Sequence, residues 1–481
     1  MRSLARLALF SCLTLSLAPA ALHAQEAADS KPKKEAKDGK KKKKKDKDKK
    51  NKDGEKKQKD EAGAVSAGAT NAPAPVADAK GAVVDAKGAV VESDAPAPAA
   101  PENWCEWLRN DPGTFKPAHE NPWFQSFQIG GRFHYQAAYL EGTDIRGLDF
   151  NDKYDEYRRF RLETKTEFLK YFTAEVNVNL VSDNRFRDDL FSDLEWGYDR
   201  FDEASLEFDI GKAFGTGVLD DIKVKYGRMK LKMTEEQHMS SNEIYTIERS
   251  GIADKLGGEQ SRPTGFTLEL EKGDFDLVLG VFSAEDDSDF IGGWNDGEFF
   301  YGSLTWKPDK DFWMVLDYSQ NNLDDKALVD DALGYGWAAS LSAVYEKKRW
   351  GFIAEAIYGD NGGSNGLITR RAGDFHSFVV MPWVWIVEDK LQAVVQYQYA
   401  SSPESQGLQI PTRYIRADHE NPAVDVDNGR GNEHHYLYAG LNYHLCKDRI
   451  KLMGGVALDD LTTRSGEVKG LTWQVAFRTA F

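Results

Sequence analysis

From about residue 126 to the C-terminus, apolar and polar residues alternate in runs of roughly ten. The last run, GLTWQVAFRTAF, shows the pattern most plainly. Leu471, Trp473, Val475, Phe477, Thr479 and Phe481 share one parity; Thr472, Gln474, Ala476, Arg478 and Ala480 share the other. A period of two puts each set on one face of a β-strand. The first face is too rich in aromatic and aliphatic side chains for an edge exposed to water, where it would recruit other chains. With that face against lipid and the other against a water-filled lumen, the strand is stable. The bland alternative is the closing strand of a soluble β-sandwich.

Sixteen such segments can be marked, at roughly 126–140, 157–169, 171–181, 200–209, 220–231, 264–272, 274–284, 297–307, 311–320, 335–347, 349–359, 374–387, 390–400, 433–445, 448–459 and 470–481. Each is near, or a little longer than, the ~9–11 residues that cross a bilayer at a tilt. The joints between them alternate in length. Lys170, Lys272–Gly273, PDKD at 308–311, Lys348, Glu388–Asp389 and Cys446–Lys447 mark short ones. The others are long: 141–156, 182–199, 232–263, 285–296, 321–334, 360–373, 401–432 and 460–469. Only the fourth joint, IGKAFGTGVL, breaks the rhythm. The pattern predicts an all-β fold: a sixteen-stranded antiparallel transmembrane β-barrel with short periplasmic turns, long external loops and both termini periplasmic. A soluble sandwich has no reason to alternate this way.

The chain ahead of the barrel changes the picture in two ways. Residues 1–24 read as a secretory signal, with Arg2 and Arg6, an apolar run from Leu7 to Ala18 and a plausible cleavage after Ala24. No other stretch reaches the ~20 apolar residues of a membrane helix; the mean hydropathy of −0.57 does not argue against a barrel, whose strands show lipid only every second residue. Residues 25–101 are Lys-dominated, with KKKKKK at 40–45, then rich in Ala, Gly, Val and Pro, with DAKGAVV repeated at 78–91. They contain nothing large enough to bury, so a disordered periplasmic leader is expected, followed by a pre-barrel segment at 102–125 and the barrel at 126–481. The Lys run reads as a solvated tail or as a tether for an anionic polymer such as cell wall, or for lipid head groups; nucleic acid is not expected outside the cytoplasm.

Charge divides at the same boundary. Residues 1–101 hold 21 basic and 14 acidic residues, and the other 41 basic and 64 acidic residues leave 102–481 at about −23. Export also leaves Cys105 and Cys446 as the cysteines of the mature chain, in a compartment that permits disulfides. Cys446 falls in the turn after the fourteenth strand, and Cys105 just before the first strand, on the same side. A lateral gap of about 15 Å is easily crossed by the residues between Cys105 and Ser126, so a Cys105–Cys446 disulfide is expected; two unrelated thiols are the alternative.

Three stretches carry a family resemblance: YRRFRLETKTEF at 157–168, VKYGRMKLKMTEEQHMSSNEIYTIERS at 224–250 and RPTGFTLEL at 262–270. They resemble the phosphate-selective porins of the O and P type, and the final Phe481 is similar to the closing residue of bacterial outer-membrane barrels. The resemblance implies a homotrimeric, passive, anion-conducting channel in the outer membrane. Its third loop, here 232–263, would fold into the lumen, and arginines and lysines would draw anions such as phosphate to the constriction. By parity, Arg159, Arg161 and Lys165 face inward on the second strand and Lys223 and Lys225 on the fifth. A bulge at Gly227 would then put Arg228, Lys230 and Lys232 inside and Met229 and Leu231 against lipid. Arg132, His134 and Arg478 share the inward parity, and Arg249 and Arg262 flank the loop. Glu163, Glu167, Glu175, Glu207, Glu269 and Glu271 share it too and could cancel the field.

The rival readings are a general non-selective porin, a structural anchor whose basic leader holds the cell wall, and an outer-membrane hydrolase. The last needs a nucleophile, a base and an orienting group together. His434 and His435 point to opposite faces of a strand, and no Gly-x-Ser-x-Gly or metal-spaced set accompanies them. No catalytic residue, cofactor or metal site is expected.

Overall fold

The computed structural model describes residues 104–481 apart from 111–112, 182–185, 188–196, 258–261, 285–292, 295–296, 324–332, 363–371, 411–412 and 418–422. The signal at 1–24 and the leader at 25–101 lie outside these residues. Sixteen long strands form one closed antiparallel sheet: β1 (Phe124–Thr143), β2 (Asp149–Phe168), β3 (Phe172–Asn179), β4 (Arg200–Asp209), β5 (Asp221–Arg228), β6 (Thr264–Lys272), β7 (Phe275–Ser283), β8 (Gly297–Asp309), β9 (Phe312–Leu323), β10 (Trp337–Lys347), β11 (Trp350–Asp360), β12 (Asp374–Val387), β13 (Leu391–Ser401), β14 (Glu433–Cys446), β15 (Ile450–Thr462) and β16 (Glu467–Ala480). Each pairs with the next in sequence, and β16 returns to β1, with Ala480 opposite Arg132 and Lys469 opposite Thr143. The strand number and the up-and-down order agree with the alternation of the sequence.

Parity sorts the two faces as expected. Leu471 aside, the outward set of β16 is open to the surroundings at Trp473 and Val475, while Thr472, Gln474, Ala476 and Arg478 are buried inside. Leu441, Leu452, Leu458 and Phe378 continue the exposed apolar belt on β14, β15 and β12. In lipid that belt is an asset.

Two of the long joints prove shorter than expected. β1 and β2 run on as a hairpin to Thr143 and Asp149, leaving 144–148 where 141–156 was expected. The Asp144 carboxylate accepts from the backbone N–H of Arg146 (2.9 Å) and of Leu148 (3.0 Å), which is why so tight a turn forms. Likewise 463–466 replaces 460–469, with the Thr463 hydroxyl accepting from the N–H of Ser465 and Gly466, both at 3.1 Å. The irregular fourth joint contains a one-turn helix, α2 (Ile210–Phe214), whose Lys212 N–H is capped by the Asp209 carboxylate at 2.7 Å.

The seam needs an extra piece. β1 extends below the end of β16, and its edge there would be unpaired. Phe481 exchanges backbone hydrogen bonds with Gly131 (2.9 and 3.0 Å); below it the pre-barrel chain takes over, with Gly113 O accepting from Ile129 N–H (3.1 Å) and Thr114 and Phe115 opposite Gln128 and Phe127. Gly131 is required, since a Cβ there would lie 2.6 Å from the Arg161 carbonyl oxygen and 2.8 Å from the Phe481 ring. Ahead of this piece lies a six-residue helix, α1 (Trp104–Arg109), and its Cys105 is disulfide-bonded to Cys446 at the end of β14, with Cα atoms 5.4 Å apart.

Protein purified from membranes is accordingly expected to resist alkylation at Cys105 and Cys446 until reduced. Cys105→Ser should lower stability by about 2–4 kcal/mol, because the bond closes a 341-residue span of the unfolded chain. Intact mass after alkylation and the unfolding temperature check the two parts.

Candidate functional site

At Gly227 the backbone takes φ +137°, and a Cβ there would meet the Ala204 carbonyl oxygen at 2.2 Å. Only glycine allows the chain to hug β4 and then leave the wall. The register of β5 with β4 and β6 is unbroken through Gly227 and Arg228, so the bulge expected there is absent. The chain instead turns inward, and Met229 and Leu231, expected against lipid, are buried inside the barrel. They pack with Met233, Ile252 and Leu256 against Phe282, Phe299, Tyr301, Ile357, Phe375 and Val379, inward residues of β7–β12. A second patch seats Ile247, with Met239 and Tyr245 beside it, on Val344, Ile353, Met381, Trp383, Tyr436 and Met453. Each large side chain so buried contributes about 1.5–3 kcal/mol.

The loop from 229 to 263 therefore lies along one apolar half of the lumen. It is ordered by two one-turn helices, α3 (Glu235–His238) and α4 (Gly251–Leu256), capped by Thr234 and Ser250. Thr234 and Gln237 are spaced as a capping pair. Its middle is tied to the opposite wall through its own carbonyls. Arg478 donates to Ser241 O (3.0 Å) and to Ile247 O, Lys451 to Ile244 O (3.1 Å), and Asn442 to Tyr245 O (2.8 Å). His134 contacts Asn242 Oδ1 at 2.7 Å and Arg132 donates to Ser241 Oγ at 2.9 Å.

Between this loop and the β1–β4 wall is a cavity of about 290 Å3. Its described lining carries eight basic side chains, Arg132, Arg158, Arg159, Arg161, Lys230, Lys232, Arg249 and Arg262, against four acidic ones, Asp202, Glu203, Glu243 and Asp254. A wider cavity of about 680 Å3 opens from it toward the short-turn end. There Arg109, Arg132, Lys165, Lys447 and Arg449 are balanced by Glu163, Glu175, Glu203, Glu243 and Asp448. Of these two cavities, the smaller carries the excess of basic side chains.

Most of the cations are partnered. Arg132 pairs with Glu163. Arg161 and Arg262 share Asp202, at 2.7 and 3.0 Å. Lys165 and Lys225 share Glu175, at 3.3 and 3.1 Å, and Lys223 pairs with Asp221. Lys230 donates to Gln237 O at 2.6 Å and Arg249 to Glu236 O at 2.6 Å. Arg159 differs. It is buried, it contacts His134 Nδ1 at 3.5 Å, its Nε makes no hydrogen bond, and it has no carboxylate partner among the described residues. Burial, with Arg249, Arg262 and Lys232 nearby, holds the Lys230 ammonium well below the usual lysine range.

Of the residues expected in the pore, Arg132, Arg159, Arg161, Lys230, Arg249 and Arg262 come together at this cavity and Lys165 at the wider one. Lys223 and Lys225 lie on the inner wall toward the short-turn end. Arg228 is buried in the wall on Phe201 O (3.0 Å), and Arg478 is spent on the loop. Arg158 was missed. The register between β1 and β2 slips at His134/Tyr135, so Arg158 is an extra residue and sits inside beside Arg159. Its partner is Glu248 on the loop, with Arg158 Nε to Oε1 at 2.9 Å. The YRRFR run was the available signal: two adjacent arginines in a lipid-facing strand leave one of them in lipid unless the strand bulges. His434 and His435 do face apart, His434 to Asp459 (2.9 Å) and Gln398 (2.9 Å) inside, His435 to Glu433 (3.2 Å) and Tyr397 (2.9 Å) outside.

A closed sixteen-stranded barrel narrowed from within by its third long loop is a porin, a channel of the bacterial outer membrane. The family model of phosphate-selective porin O and P matches residues 127–326 of this chain. Among solved structures, the outer membrane channel DcaP of Acinetobacter baumannii is similar over 76% of this chain and 100% of its own, at 13% identity and a TM-score of 0.50. The anion-selective porin from Comamonas acidovorans is similar over 74% and 99%, at 13% identity and a TM-score of 0.47. Such identities speak to the fold alone. No curated protein matches the sequence.

The loop's grip on the wall has a pH limit. Burial would push the Glu248 carboxyl up, but Arg158 and Arg159 outweigh it and hold it down to about 2. A depressed carboxylate stabilises the fold fully above its unfolded value of about 4.3 and loses that contribution as pH falls toward 2. Acidification through that window is expected to raise open-channel current noise, and Glu248→Gln to remove the transition. Single-channel recording against pH is the check.

Proposed function

We propose that this porin is a passive channel that prefers anions, with phosphate as its physiological solute. The observation that carries the reading is the cavity between the third loop and the β1–β4 wall, with eight basic and four acidic side chains and Arg159 without a carboxylate partner among the described residues. A unit charge about 4 Å from an anion is worth on the order of 4 kcal/mol at an effective dielectric of ~20, enough to offset part of the dehydration the narrow part imposes. Fixed cations along the route share that load, and several weak contacts let the ion leave again. The acidic net charge of residues 102–481 does not oppose this, because the wider vestibule is balanced and the excess lies at the narrow part. Selectivity for phosphate over other anions and homotrimeric assembly rest on the likeness to that family, and periplasmic termini on the alternation of short and long joints.

The test is the reversal potential of single channels in a salt gradient. Arg159→Gln is expected to lower the anion-to-cation permeability ratio more than Lys223→Gln, whose cation is already paired with Asp221. Cation preference in the unaltered protein, or equal effects of the two substitutions, would sink the reading. Inhibition of chloride current by added phosphate, lost in Arg159→Gln, checks the solute.

A further inference from the structure

The seventh long loop, 402–432, also enters the barrel. Leu408 and Ile410 join the apolar cluster that holds the third loop, and a Cβ on Gly251, the first residue of α4, would lie 2.6 Å from Ile410 O. The short helix α5 (Arg413–Ala417) then brings Tyr414 and Ile415 against Leu140, Tyr154, Leu461 and Val468 on the inner wall near the long-loop end. Arg413 is buried there and donates from Nε to both Glu156 oxygens, at 2.8 and 3.0 Å.

Glu156 is not isolated. Gln136 Nε2 lies 2.8 Å from Glu156 Oε1 and 2.6 Å from Glu248 Oε1, so one amide bridges the two carboxylates. Tyr414 donates its hydroxyl to Glu156 at 3.2 Å. Glu248 in turn is the partner of Arg158, which lines the constriction. A single chain of contacts thus runs from the seventh loop through Glu156, Gln136 and Glu248 to a constriction arginine. Arg413 itself does not line the constriction.

We infer that Arg413 is a positioning residue for selectivity: by neutralising Glu156 it leaves Arg158 to Glu248, and so fixes how much positive charge faces the permeating ion. The reason is electrostatic. Two carboxylates bridged by one glutamine repel each other, and two buried arginines, Arg413 and Arg158, divide them one to each. Without Arg413, the buried Glu156 competes with Glu248 for Arg158. Without Glu156, both arginines outnumber the one carboxylate left. The inference rests on a selective channel, and its sign pattern does not depend on which ion the unaltered channel prefers.

Reversal potentials of Arg413→Gln, Glu156→Gln and the double variant test it, with heat-shifted gel mobility as the control for a folded barrel. Arg413→Gln is expected to move permeability toward cations by about two- to fourfold, the size a unit charge roughly 10 Å from the route gives in a water-like dielectric. Glu156→Gln should move it toward anions by a similar factor, the double variant should return to the parent value, and Arg413→Lys should stay near it. If the two single variants shift selectivity in the same direction, or the double variant fails to restore it, the seventh loop acts by obstruction and the inference is overturned. An unaltered channel that prefers cations would refute the anion reading while leaving the opposite-sign pattern as the test of this one.

Discussion

Everything in this molecule follows from one constraint: within a bilayer no water is present to satisfy a backbone N–H or C=O. Each strand must be paired on both edges, which closes the sheet and makes the β1–β16 seam the critical joint. The seam is finished with care, since the strands differ in length. Phe481 supplies the last rungs to Gly131, and the pre-barrel residues 113–115 cover the β1 edge that β16 does not reach. With closure comes parity, and parity decides which side chains meet lipid and which meet the lumen.

Inside, the lumen is two environments and not one. The β7–β15 wall presents aromatic and aliphatic side chains, and such a wall left wet would be unfavourable. The third loop covers it with Met229, Leu231, Met233, Ile252 and Leu256 and turns its polar side toward β1–β4. Apolar burial therefore supplies most of the hold, while Arg478, Lys451 and Asn442 fix where the loop sits by taking its carbonyls, at about 1.5–3 kcal/mol for a charged donor. Several basic residues thus build the narrow part without facing the ion.

The fold was legible because lipid imposes a strict rule on alternate residues, and loops of unequal length mark the two ends. The site was legible only in part. Parity put Arg159 and Arg161 inside, yet a one-residue slip opposite Tyr135 brings Arg158 in as well, and nothing in alternation alone places a bulge. Met229 and Leu231 were assigned to lipid because apolar residues at strand parity normally belong there; the turn at Gly227 sends them to a dry interior that the rule does not contemplate. A clue was present in β12, FVVMPWVWIV, where both parities are apolar. Such a strand needs cover on its inner face, which is now seen to be the third loop. The Glu156–Arg413 contact joins residues 257 apart and has no local signature.

The disulfide has a mechanical meaning. Strand β1 is the first strand after the pre-barrel residues, and a pull on its N-terminal end alone would act on hydrogen bonds one at a time, peeling it from the seam. The Cys105–Cys446 bond intercepts such a load before it reaches β1 and delivers it to the β14–β15 turn. That turn belongs to two strands paired over their whole length, from Glu433 opposite Thr462 down to Cys446 opposite Ile450. Pulled from its turn, this hairpin would have to shear the ladders on both its flanks, β13–β14 and β15–β16, as a block, with many hydrogen bonds strained at once. The barrel can therefore bear tension on its N-terminal side without opening at its weakest line.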